Sequence, residues 1–151
     1  MKKYFIINVI YLLSIFSCKD VNKFSAGSYP YAEVFEISLS EKRVIEKIDS
    51  LKTINTELQV PVFEWAGNEV SLSDEVQANG YFVFYIFIKE RNQIIQFYAK
   101  ENGKNHTKIG FISIQNGLSL GNWRKINKDL PDKENKQLKE IFKKRIISKI
   151  N

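Results

Sequence analysis

One Cys and one His stand among the 151 residues of this chain. A single Cys excludes an intramolecular disulfide framework, and one Cys with one His excludes the Cys- and His-rich zinc sets. Arginine is scarce, 4 of the 23 basic residues, which weakens the case for nucleic acid that a net charge of +6 would otherwise make. The sequence has no P-loop, EF-hand loop, GxSxG, HExxH or dinucleotide fingerprint. It has no internal repeat and no low-complexity block, and no apolar run reaches the roughly 20 residues that span a bilayer. What remains is 44% hydrophobic and 13% aromatic, enough to bury the core of one ordinary domain and too much for wholesale disorder.

The first residues read as an address. Lys2 and Lys3 precede Tyr4 to Phe16, a stretch broken only by Asn8 and Ser14, within the ~7–15 residues of a signal h-region. Ser17 and Cys18 follow. Ile15-Phe16-Ser17-Cys18 resembles the lipobox of bacterial lipoprotein signal peptides. Ile15 and Ser17 match it, whereas Phe16 stands where a small or aliphatic residue is usual. The resemblance implies that residues 1–17 are removed and that Cys18 becomes the N-terminus. It would carry a diacylglycerol and an amide-linked acyl chain such as palmitate, more than the single chain that binds membranes only reversibly. It also implies a bacterial cell-envelope location, membrane-anchored and periplasm-facing, and it carries no fold or activity. Cys18 is thereby taken out of consideration as a nucleophile or metal ligand.

Removing residues 1–17 also divides the charge. Residues 18–122 hold 13 acids and 11 bases, while residues 123–151 hold 10 bases and 4 acids. The body is slightly acidic and the terminal segment strongly basic.

Residues 18–31, with Lys, Asp, Asn, Ser, Gly and Pro around little apolar material, read as a lipidated flexible tether that cannot order itself. Residues 32–151 read as a single globular α+β domain. Phe35, Ile37 and Leu39 alternate in a short strand over 32–39. Ser40 offers an N-cap, and Val44, Ile45, Ile48 and Leu51 give the stripe of a helix over 41–54. Pro61 confines a strand at 58–65 to an edge or a strand start. Ala66-Gly67-Asn68 is a turn, and 69–79 is loop-like, with room for a short strand at 69–72.

Tyr81 to Ile88 is apolar on both alternating sets, the pattern of a strand covered on both faces. Strands at 94–99, 109–114 and, more weakly, 118–123 follow short turns, which makes a meander. Asp132 can cap the strongest helix, 132–149, whose stripe is Leu138, Ile141, Phe142, Ile146 and Ile150. The expected fold is an antiparallel meander sheet of about 4–6 strands on two helices, a two-layer sandwich whose other sheet face carries aromatics of the 81–88 strand and would be a contact surface if incompletely covered.

Chemistry-bearing residues are few. His106 lies in a polar turn, without an orienting partner in sequence. Glu64, Asp74 and Glu75 would have to converge in a cleft to act as a hydrolase. No catalytic residue, cofactor or metal ligand is assigned. The candidate partner-binding residues are Tyr81, Tyr85, Tyr98 and Trp123, whose rings offer contact area at low entropic cost, and Trp65 is another aromatic that suits an interface. Lys136, Lys139, Lys143 and Lys144 of the terminal helix add a basic surface.

The expectation is a non-enzymatic, lipid-anchored protein-binding module, of the kind found among immunity proteins and accessory subunits of envelope machines, with a protein partner and no nucleic acid. A small-ligand or lipid-binding module with an enclosed apolar cavity, and an envelope-polymer hydrolase, are the alternatives.

Overall fold

A computed structural model describes residues 29–151. The signal segment 1–17, the lipobox Cys18 and all but the end of the 18–31 tether lie outside those residues. Tyr31–Asn151 form one compact unit, which begins one residue earlier than the domain start at 32 read from the sequence. Tyr31 is tied into it, since its carbonyl accepts from Asn127 Nδ2 at 3.1 Å and its ring lies under Lys128.

The sheet has six strands: β1 (Glu33–Ile37), β4 (Glu75–Val76), β5 (Phe82–Ile88), β6 (Gln93–Glu101), β7 (Thr107–Asn116) and β8 (Arg124–Lys125). Its order is β1-β7-β6-β5-β4, with β8 also on β7 and every pairing antiparallel. Two further strands, β2 (Phe63–Trp65) and β3 (Asn68–Val70), form a separate hairpin. The architecture is α+β, an open sheet with helices on one face, consistent with a two-layer sandwich.

The meander β5-β6-β7 is the centre of the fold, and it alternates as its sequence dictates. Phe84, Ile86, Ile88, Ile95, Phe97, Ala99, Ile109 and Phe111 join the helix-facing core. Val83, Tyr85, Gln96 and Tyr98 take the opposite face. A bulge in β7 changes this rhythm. Phe97 pairs with Phe111, but Gln96 pairs with Ser113, so Ile112 is the extra residue. The extra residue returns Ile114 to the core and turns Ser113 and Gln115, both buried, to the other sheet face.

The strand expected at 118–123 does not form. β7 spans ten residues and β1 only five, so half of that edge of β7 is left open. The chain after Gly117 runs on to Arg124–Lys125 and pairs there with Ser113 and Ile114. Hydrogen bonding to an unpaired strand edge overrides the weak β pattern of Leu118 to Trp123. The strand expected at 58–65 is also shorter. Thr56–Leu58 form a 3₁₀ turn that buries Leu58, and extended pairing starts only at Phe63, past Pro61, outside the main sheet.

Two helices cover the core face. Helix α1 (Glu41–Ile54) has the bounds its stripe predicts and buries Val44 and Ile48. Ser40 occupies its N-cap position without a side-chain hydrogen bond. Helix α2 (Asp132–Phe142) has Pro131, not Asp132, at the N-cap position, because Pro131 is extended and Asp132 is already helical. Asp132 and Glu134 instead place negative charge in the first turn, which the helix dipole favours.

Beyond Phe142 the helix continues through a π turn (Lys143–Ile147) and a closing turn (Ser148–Ile150). The spacing of the buried residues explains the π turn. Leu138, Phe142, Ile146 and Ile150 recur every four residues. In a regular α-helix each such step drifts about 40° around the axis. A wider turn cancels part of that drift and keeps Ile146, Ile147 and Ile150 buried.

Phe142 is the contact that joins the layers. Its ring centroid lies 4.8 Å from Phe111, 5.1 Å from Phe97 and 5.8 Å from Phe35, on three different strands. Phe142→Ala is expected to lower unfolding stability by about 3–5 kcal/mol, measured by urea denaturation. A loss below about 1 kcal/mol would contradict this role.

Candidate functional site

The four aromatic candidates gather on the sheet face away from the helices. Tyr98 lies across Gly110 on the neighbouring strand, where a Cβ would come within 2.0 Å of its ring. Tyr81 meets Tyr98 edge-on at 4.7 Å, with the Lys100 ammonium 5.4 Å from the Tyr81 ring centre. Tyr85 packs on Trp123 at 6.0 Å. Ser113 donates to Gln96 Oε1 at 2.8 Å, and Gln96 Nε2 donates to the Tyr85 hydroxyl at 3.2 Å, so a polar row runs across β7, β6 and β5.

This face is largely covered. Tyr98 is only 7% exposed, and Tyr81, Tyr85 and Trp123 are half-buried. Strand alternation identifies a second apolar face, but the degree of its coverage depends on ring-on-ring packing between residues far apart in sequence.

The lysine candidates belong to the other side of the molecule, on the helix whose Phe142 enters the core. Lys136, Lys143 and Lys144 are exposed. Lys139 is held within the fold, donating to Glu33 Oε2 at 3.1 Å and to Asn127 Oδ1 at 3.2 Å. Arg145 pairs with Glu90 and fastens the π turn to the β5–β6 connection. The aromatic and basic candidates therefore do not form one surface.

Asp74 and Lys52 do what a strand would do. β4 pairs with β5 only as far as Val83. At Tyr85 the next edge groups are met by side chains: the amide donates to Asp74 Oδ1 at 2.9 Å, and Lys52 Nζ donates to the carbonyl at 3.0 Å. Lys52 and Asp74 also pair with each other, both largely buried. A free edge is thus closed to further strands.

Beside this pair lies an open cleft of about 370 Å³, lined in part by Asp49, Thr53, Gln59 and Leu72. Partial loss of hydration raises the Asp49 carboxyl above its ordinary 3.8; the Asp74 charge adds to this, and Lys52 opposes it. Asp49 has no signal in the sequence, because its relation to Asp74 exists only once Asp74 folds back onto Lys52 of α1.

Glu64 and Asp74 line different clefts, and Glu75 lines neither. His106 is exposed, its Nδ1 3.1 Å from the Lys104 carbonyl oxygen. Among the described residues, no group of three or more His, Cys, Asp and Glu is placed to hold a metal.

The least covered apolar side chains lie elsewhere. Ile54 is 85% exposed, Val62 55%, Trp65 42% and Val76 65%. These are four of the six large hydrophobic residues left exposed among the described residues. All four lie at the end of α1 or on the long connection from α1 to β5, which carries the β2–β3 hairpin. Ala66 and Gly67 form its tip with φ of 50° and 77°. Trp65 is an aromatic candidate in the sequence, but nothing in its local pattern shows that the hairpin stays off the main sheet.

No protein-family model and no curated protein matches the chain.

The Asp49 shift has a defined sign. Raised pKa means that the folded protein binds more protons than the unfolded chain in the window just above 3.8, so Asp49 adds stability as pH falls through that window and withdraws it as pH rises. In Asp74→Asn the Asp49 midpoint should fall toward 3.8, as read by carboxyl-carbon NMR titration. An unchanged midpoint would show that Asp74 does not contribute.

Proposed function

We propose that the chain is a lipid-anchored lipoprotein of the bacterial cell envelope, periplasm-facing and held by Cys18, whose folded domain acts by binding another protein. The anchor rests on the lipobox-like Ile15-Phe16-Ser17-Cys18. The observation that carries the binding role is the concentration of exposed apolar side chains on one segment, Ile54, Val62, Trp65 and Val76. The fold buries more than twenty hydrophobic side chains elsewhere in the described residues, and this segment holds four of the six large ones left exposed. Connections between elements are commonly short, and a long one with exposed aromatic and aliphatic residues on a rigid scaffold is the usual form of a binding element.

This reading moves the expected contact. Half-buried Tyr81, Tyr85 and Trp123 stack and hydrogen-bond within the sheet layer, where they serve the fold first. A Trp at a hairpin tip meets the description of an interface anchor better, because such anchors carry much of the binding energy when a partner closes over them.

The test uses the full chain and Cys18→Ala, each recovered from native envelopes in mild detergent. The wild type should show a lipid-sized mass increment on Cys18 and co-elute with a stoichiometric protein partner, and Cys18→Ala should lack the increment and leave the membrane fraction. A wild-type chain without the increment would overturn the anchor, and one that elutes alone after cross-linking in the envelope would overturn the binding role.

A further inference from the structure

From Thr53 to Ile88 the chain runs 36 residues with five acids, Glu57, Glu64, Glu69, Asp74 and Glu75, and no Lys, Arg or His. All 23 Lys and Arg lie in the other 115 residues. The segment that leaves its apolar side chains in water is therefore also the one that excludes positive charge. Part of its negative charge is spent inside the fold, since Asp74 pairs with Lys52 and Glu57 faces Lys89 at 3.5 Å. Glu64 and Glu69 have no ion pair among the described residues, and both are exposed.

Their placement costs stability. Glu64 and Glu69 stand directly opposite each other across β2 and β3, where like charges destabilise a pair of strands. A two-stranded ribbon has little stability to spare. Val62, two residues before Glu64, shares with Glu64, Glu69 and Gly67 an open cleft of about 500 Å³. Its apolar wall suits the methylene stem of a long basic side chain, and the two carboxylates suit the head. Trp65, paired with Asn68, belongs to the other face of the hairpin and does not line this cleft.

We infer that the β2–β3 hairpin is the contact element for a cationic segment of a partner protein, with an Arg or Lys side chain seated between Glu64 and Glu69 on the Val62 wall of the cleft. Binding then relieves the carboxylate repulsion and covers Val62 in one step. An anionic bilayer surface has the wrong charge for this cleft. The inference rests on the protein-binding reading and names the chemistry of the partner.

The test places the photo-reactive residue p-benzoylphenylalanine at Val62 or, in a separate chain, at Lys144 on the basic helix, in the full chain in its native envelope. The Val62 probe should cross-link to a Lys- or Arg-bearing segment of a different protein. Its yield should fall at least fivefold in E64Q/E69Q and stay unchanged in K143Q/K144Q. Cross-links from Val62 to an acidic segment, to lipid or to a second copy of the chain would overturn the inference, as would a yield unaffected by E64Q/E69Q. Protein cross-links from Lys144 alone would overturn the hairpin assignment and leave the binding role standing. No protein cross-link from either position would remove both.

Discussion

Phe142 sets the terms for the rest of the fold. Its ring meets Phe111, Phe97 and Phe35, so one side chain touches both central strands of its end of the sheet and the edge strand β1. The terminal helix must lie where that ring fits, and the π turn after it follows from the same demand. Buried residues four apart would walk off the contact line of a regular helix, and the wider turn brings Ile146, Ile147 and Ile150 back to the core. With one sheet face closed by α1 and α2, the other closes more lightly, through Tyr98 over Gly110 and the Ser113–Gln96–Tyr85 row.

Much of this layering is legible in the sequence, because periodicity reports which side of an element is buried. The stripe Val44, Ile48, Leu51 gives α1 its bounds, and the doubly apolar run at Phe82–Ile88 marks the strand covered on both faces. Features that depend on distant partners are not legible. The bulge at Ile112 shows only in the register of β7 against β6, and β8 pairs where β1 is too short to fill the edge of β7. Pro131 takes the cap position from Asp132 for a reason visible only in the backbone angles.

The candidate site was less legible than the fold, for a similar reason. Aromatic composition cannot distinguish rings that pack on one another, such as Tyr81 on Tyr98, from a ring left at a hairpin tip, such as Trp65. Lysine runs cannot show that Lys139 is engaged by Glu33 while Lys136, Lys143 and Lys144 are free of such a hold among the described residues. The Lys52–Asp74 bridge over the Tyr85 edge joins residues 22 apart and has no local signature. The guarded edge is closed to strand addition, whereas the hairpin is left exposed.

On the proposed reading the meander and its helices are scaffold and the hairpin is the working surface. Hydrogen exchange of the full chain tests this most directly, compared between native envelopes and the purified protein. The account predicts that amides of residues 62–70 are slower to exchange in the envelope and speed up on purification, while those of β6 and β7 do not change. Equal exchange of residues 62–70 in both states, or a change confined to residues 132–150, would contradict it.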